Sequence, residues 1–278
     1  MAISFIILLF LIGIANGFYS GLMGTGGNVI LIPALDLILS HYGIPESEIV
    51  KFIIAHSLFI TFFNGLFVSY KQYKINNFYY KEVLLIAFPA MVSGFIMSEI
   101  IKISSWYDKI YFDLIFLFLV VLIATRFLFF KEKVINKVET NKVTIKKAFS
   151  FGLGTLTGLT TALSGFGGGI VLIPALTEFC KISIKKASSI SIGVVMFLAI
   201  SISISYLNIG ATNNIKSLLP NQLGYISISL ITPVLFGVFI AAPFGVKVAQ
   251  KTAPSILRYL FGSVMVLICL KTVVSLLS

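Results

Sequence analysis

Residues 17–35 read GFYSGLMGTGGNVILIPAL, and residues 158–176 read GLTTALSGFGGGIVLIPAL. Laid side by side without a gap, Gly17 meets Gly158, Leu22 meets Leu163, and Gly24, Gly26 and Gly27 meet Gly165, Gly167 and Gly168. The match closes on a shared Leu-Ile-Pro-Ala-Leu string, 31–35 against 172–176. Composition bias alone would rarely put three glycines and such a string in register, so the chain carries a duplication, the first feature to settle in any sequence.

Each copy is followed by a polar loop and three long apolar segments, near 49–70, 81–101 and 110–130 in the first half and 187–207, 222–246 and 256–277 in the second. Each segment is close to the ~20 residues that cross the hydrocarbon core as a helix. The 278 residues are 58% hydrophobic and 11% charged, whereas an ordinary soluble domain is roughly a quarter charged. The fold class expected is therefore an all-α polytopic membrane protein of two repeats, 1–130 and 148–278. They are joined by a basic linker, 131–147, with six lysines against two glutamates.

The net charge of +11 belongs to short loops rather than to a basic stripe with interleaved aromatics, so nucleic acid is not an expected partner. Cys180 and Cys269 lie in apolar context without CxxC spacing and read as packing residues. The apolar start lacks a basic n-region, so a cleaved signal peptide is not expected. No nucleophile–base pair or metal-ligand cluster stands out, which argues against an enzyme, and no metal or cofactor is called for.

Lysine counts orient the loops. Lys71, Lys74 and Lys81; Lys181, Lys185 and Lys186; and Lys247, Lys251 and Arg258 mark cytoplasmic loops. Loops 41–48, 102–109 and 208–221 then face outward, the middle one ambiguously, with Lys102 and Lys109 against Asp108. On this assignment the second glycine signature begins and ends inside and the first begins and ends outside. The halves are then antiparallel, as in the inverted repeats of many secondary transporters. The apolar run after the glycines, 29–39 or 170–180, is about 16 Å long as a helix, roughly half the hydrocarbon thickness. That length favours two glycine-broken hairpins entering from opposite faces and turning near the midplane. Two short tilted crossings per half would give the same parity.

Irregular backbone at membrane depth is tolerated only when buried in protein or lining a cavity. The loops Gly24, Thr25, Gly26, Gly27, Asn28 and Gly165, Phe166, Gly167, Gly168, Gly169 each end at the start of a short helix. Such an end offers unpaired N–H groups and partial positive charge, and two of them meeting would bind an anion without a buried Lys or Arg. The bland alternative is close helix packing through small residues. Pro33 and Pro174 are expected in the first turns of these helices, where a missing N–H costs little. The following helices add Ser57 and Ser191 as candidate donors, with Asn64 two turns deeper. His56 is the one clear titratable group near the centre, a candidate for anion or proton binding or a packing residue. Asp36, Glu99, Asp113 and Glu178 are expected near helix ends, solvated or snorkelling.

The paired Gly-x-Gly-Gly-[Gly/Asn]-x-x-Leu-Ile-Pro-x-Leu segments resemble those of the sulfite exporter TauE/SafE family, and the likeness covers essentially the whole chain. The resemblance implies export of sulfite, sulfoacetate, another organosulfonate or a related small oxyanion across the cytoplasmic membrane. The partners expected are that anion and membrane lipid, and a homo-oligomer is compatible with the sequence. A passive anion channel, or a membrane subunit serving another protein, are the rival readings. Asn28, where the second half has Gly169, departs from the symmetry of the repeat.

Overall fold

The computed structural model describes residues 3–24, 26–104, 106–129, 145–207 and 219–277. Ten helices follow one another among them: α1 (Ile3–Met23), α2 (Asn28–His41), α3 (Glu46–Lys74), α4 (Tyr80–Ile103), α5 (Lys109–Phe129), α6 (Lys147–Ser164), α7 (Gly169–Glu178), α8 (Ile184–Leu207), α9 (Ile228–Lys251) and α10 (Pro254–Leu277). Among the described residues six helices, α1, α3, α4, α8, α9 and α10, are long and apolar enough to cross a membrane. The basic linker expected at 131–147 lies outside the described residues apart from Ile145, Lys146 and Lys147.

The distribution of polarity is that of a membrane protein. Phe88, Phe118 and Leu267 stand 71%, 64% and 66% exposed, while Asn16, Asn28, Asn64 and Thr61 are fully buried. Apolar side chains coat the outside and the polar ones cluster within, the arrangement expected when lipid is the solvent.

Small residues set the tightest contacts. Gly13, Gly17 and Gly21 of α1 face Val234, Val238 and Ala242 of α9, so the two helices run parallel with backbones almost touching. A Cβ added at Gly17 would lie 2.7 Å from the Val238 Cα. In the same way Gly154 and Gly158 of α6 face Ile86 and Ala90 of α4, again parallel. Close approach of this kind is what drives helix association where lipid removes the hydrophobic drive. Gly17→Leu is expected to destabilise the detergent-solubilised protein by about 3 kcal/mol, the upper end for overpacking. An unchanged melting temperature would contradict this.

The remaining directions follow from paired contacts. Ser201 donates to the Met91 carbonyl and Ser98 to Ser205, so α8 runs parallel to α4. Gly65 abuts Met196, while Ser189 donates to the Asn77 carbonyl just beyond α3, so α3 and α8 are antiparallel. These two helices form the centre of the molecule, and both are largely buried.

One boundary departs from expectation. The segment expected as helix over 222–246 begins instead with a two-stranded hairpin, β1 (Gln222–Leu223) and β2 (Ile226–Ser227), and α9 starts only at Ile228. Gly224 turns the hairpin at φ 56°. Tyr225 then packs edge-on to Phe52 and donates to Glu48 Oε2 at 2.9 Å, tying the hairpin to the start of α3. Burial first, and then the Glu48 carboxylate, push the Tyr225 hydroxyl well above its usual pKa, which keeps it a donor.

Candidate functional site

Each glycine loop holds three residues in the left-handed region. Gly24, Gly26 and Gly27 have φ of 71°, 90° and 84°, and Gly165, Gly167 and Gly168 have 68°, 79° and 74°. Residues with a Cβ avoid this region, so the aligned glycines are there for the backbone path itself. Gly27 and Gly168 are the N-caps of α2 and α7. Pro33 and Pro174 fall at the sixth helical position rather than in the first turn. Each therefore removes one internal hydrogen bond, leaving the Val29 and Ile170 carbonyls without their helical partner.

The structure brings the two loops together. A Cβ at Gly26 or at Gly167 would touch the same two side chains, Thr61 of α3 and Val195 of α8. Thr61 stands about half-way along the 29-residue α3, and Val195 about half-way along the 24-residue α8. Asn28 spans the junction: its amide donates to the Gly165 carbonyl of the opposite loop, and its carbonyl oxygen accepts from Thr61. The Thr61 hydroxyl also lies 2.8 Å from the Ser57 carbonyl, and Asn64 donates to the Gly26 carbonyl at 3.1 Å. Phe166 stacks at 4.3 Å on Phe116 of α5. Thr25 lies outside the described residues.

Around this junction, polar groups are buried without partners. Both amide atoms of Asn16, the Ser20, Thr161 and Ser191 hydroxyls and the Asn64 carbonyl oxygen find no hydrogen bond among the described residues. Several border the loops directly. A Cβ at Gly27 would lie 2.5 Å from Asn16 Oδ1, and one at Gly168 would lie 2.9 Å from Thr161 Oγ1. The N–H groups of Gly167, Gly168 and Ile170 likewise have no acceptor among the described residues. Leaving a buried polar atom unpaired costs about 1–3 kcal/mol, so a cluster of them calls for an explanation.

Asn16, Ser20, Thr61 and Thr161 were not singled out from sequence. Asn16 and Ser20 each precede a glycine of the first half, Thr161 falls opposite Ser20 in the repeat, and Thr61 is a polar residue in an apolar run. Ser57 sits beside Gly165 with its hydroxyl turned to its own helix, donating to the Ile54 carbonyl at 3.1 Å. Ser191 is one turn before Val195 on the same face of α8.

His56 has a different position. Its Nε2 accepts the Ser227 N–H at 2.9 Å, and Nδ1 lies 2.7 Å from the Phe52 carbonyl. The first bond requires a bare Nε2, so Nδ1 carries the proton and donates to Phe52. Both nitrogens are committed to backbone and the ring faces the hairpin, so in this conformation it offers nothing to an anion. His56→Gln is expected to leave the pH dependence of transport unchanged while lowering stability by about 1–2 kcal/mol through the lost latch. A shifted pH profile would restore a proton role.

Asp36 and Asp113 are paired rather than solvated, whereas Glu99 is paired and still exposed to solvent. Lys109 binds Asp36 and Asp113, Lys271 approaches Asp36, and Glu99 binds Lys102. Cys180 and Cys269 are free thiols.

The sequence matches the family model described as Sulfite exporter TauE/SafE over residues 7–272. The chain belongs to that family. Its relatives include a "Probable membrane transporter protein" of Methanocaldococcus jannaschii, 31% identical over 93% of this chain and 91% of the relative. Another, of Haemophilus influenzae and with the same description, is 28% identical over 96% and 97%. A third, from Bacillus subtilis, is 22% identical over 92% and 93%. No solved structure matches this family member. It is a multi-pass membrane protein whose relatives are named as transporters.

Proposed function

We propose that the protein is a secondary transporter that exports sulfite, sulfoacetate or another small organosulfonate across the cytoplasmic membrane. The anion sits at the midplane between the two glycine loops and is exposed to each side in turn. The observation that carries this reading is the junction itself: two helix N-termini converging half-way along α3 and α8, ringed by polar side chains that are unpaired among the described residues. Helix N-termini and free N–H groups bind oxyanions without a buried cation. The oxyanion oxygens accept from the Gly167, Gly168 and Ile170 amides and their first-loop counterparts, with Asn16, Ser20, Thr161 and Ser191 supplying side-chain donors. Gly24, Gly26, Gly27, Gly165 and Gly169 shape the backbone, and Asn28 couples the loops.

Alternating access follows from two inverted repeats, 1–130 and 148–278. The helix directions support this. α1 parallels α9 and α6 parallels α4, while α3 and α8, at matching places in the halves, oppose each other. Rocking one half against the other would open the junction first to one face and then to the other. An inside-negative potential favours exit of an anion by about 2.3 kcal/mol per charge per 100 mV, so export does not need a coupling ion.

The test is reconstitution. Purified protein in liposomes is expected to show saturable counterflow with one of sulfite, thiosulfate, sulfoacetate, taurine or sulfate, and a thermal shift with the same compound. Large single-channel currents would turn the reading into a channel. Failure to move or bind any of the five would dismiss it.

A further inference from the structure

A cleft opens between α2, α5 and α10, lined by Ile32, Asp36, Phe112, Asp113, Phe116 and Lys271 among others. Burial orients it. Ile32, Phe112 and Phe116 are at most 2% exposed, whereas the side chains of Asp36, Asp113 and Lys271 are 14%, 14% and 36% exposed. The apolar end touches the second glycine loop twice: Phe116 stacks on Phe166, and Ile32 Cδ1 lies 3.3 Å from where a Gly165 Cβ would be. The charged end lies where α2 and α10 finish and α5 begins. The lining of the cleft therefore reaches from a charged rim to side chains packed against the second glycine loop.

The four charges at the rim are not equally held. Lys109 sits 2.9 Å from Asp36 Oδ1 and 3.1 Å from Asp113 Oδ2, a close double pairing. Lys271 is 3.6 Å from Asp36 Oδ2 and 3.5 Å from the Pro33 carbonyl, and it is the most exposed of the four. If Lys271 let go of Asp36, the carboxylate would keep Lys109 as a partner, shared with Asp113. Lys271, the most exposed of the four and the most loosely paired, is thus the charge that can exchange its partner for another anion at the least cost. The repeat offers a control. In the in-register alignment Asp36 falls opposite Thr177, whose hydroxyl donates to its own helix at the Ile173 carbonyl. The short helix does not need a charge there in order to fold, so the rim belongs to one face only.

We propose that this cleft is the outer mouth of the transport path and that Lys271 is a transient docking site for the anionic substrate, with Asp36 as the resident carboxylate the substrate displaces. The proposal rests on the glycine-loop reading, since it gives that site its route to the outer face. An oxyanion at the rim takes the place of Asp36 on Lys271, and the Phe116–Phe166 stack separates it from the junction until the halves move. Because one carboxylate is traded for one oxyanion, the docking is weak and fast, as a vestibule requires.

The test uses the full chain with Cys180→Ala and Cys269→Ala, a reporter Pro33→Cys in the cleft, and a membrane-impermeant maleimide applied from outside. Sulfoacetate serves as the probe because it reacts with neither thiol nor maleimide. External labelling of the reporter is expected, slowed by added sulfoacetate. Lys271→Gln should raise the sulfoacetate concentration needed for protection tenfold or more, and Asp36→Asn should lower it severalfold. A general loss of packing would not move two rim variants in opposite directions, and Lys271→Arg should keep the protection. The proposal falls if the reporter is labelled only from inside, or if both charge variants shift protection the same way or leave it unmoved. Failure of the glycine-loop reading is separable: it would appear as solubilised wild-type protein that binds no sulfoacetate, or as binding that survives Gly168→Val.

Discussion

Gly168→Val is expected to lower substrate affinity and transport by at least ~100-fold while the protein still inserts and purifies as a monodisperse species. A side chain at this position meets two penalties. The φ of 74° is a left-handed conformation that costs an L-residue about 1–2 kcal/mol. The new Cβ would also lie 2.4 Å from Thr157 Cγ2 and 2.9 Å from Thr161 Oγ1, and overpacking of this order costs about 1–3 kcal/mol. The loop escapes both by moving, and in moving it withdraws the amides of the second helix start. A displacement costing about 3 kcal/mol is worth roughly 100-fold in affinity, a large part of the binding energy of a ligand with a millimolar to micromolar Kd. Gly27→Val should be at least as severe, because its Cβ meets the Asn16 backbone oxygen at 2.8 Å as well as a side chain. Backbone on α1 cannot rotate aside as the Thr157 methyl can. Hence Gly168→Ala should keep measurable binding, and Gly27→Ala should keep less. Equilibrium binding in detergent, with size-exclusion profile and helical circular dichroism as folding controls, decides the matter. A folded Gly168→Val protein of wild-type affinity would move the site away from the loops.

The glycine loops were legible in the sequence because the backbone demands them: three left-handed positions per loop admit little but glycine, and duplication writes the demand twice. The apolar segments were legible for an equally local reason, and α3, α4, α8 and α10 lie within a few residues of their expected spans. Features that depend on distant partners were not. The latch on His56 is donated by Ser227, 171 positions later, so a histidine in mid-helix looked free to bind or titrate. The start of α9 moved to Ile228 because Gly224 turns a hairpin held by Glu48 and Phe52 of α3, a tertiary cause hidden inside an apolar run. Asp36 reads as a solvated end residue because Lys109 and Lys271 reach it from other helices. Thr61 and Asn16 carried no distinguishing pattern, since one polar residue in an apolar helix is common and only the fold sets it against a glycine loop.

Asn28→Asp is expected to reduce transport of a sulfonate by two orders of magnitude or more, and Asn28→Gly by only about tenfold. The difference between the two separates an anion site from a packing joint. In the structure the Asn28 amide donates to the Gly165 carbonyl and its oxygen accepts from Thr61, so either change breaks the link between loops. A net hydrogen bond of this kind is worth about 1 kcal/mol, and glycine at this place is what the second loop already has in Gly169. Aspartate adds a charge. A carboxylate about 5 Å from a bound sulfonate is repelled by roughly 3 kcal/mol at an effective dielectric near 20. It also turns an oxygen toward the Gly165 carbonyl, where a donor is needed. Lower pH should ease the loss by protonating the new carboxyl, since a sulfonate stays ionised throughout, whereas the glycine variant should show no such recovery. Initial rates of sulfoacetate counterflow in proteoliposomes between pH 5 and pH 8 would measure this. Equal losses in the two variants, both indifferent to pH, would mean that Asn28 only joins the loops and that no anion rests beside it.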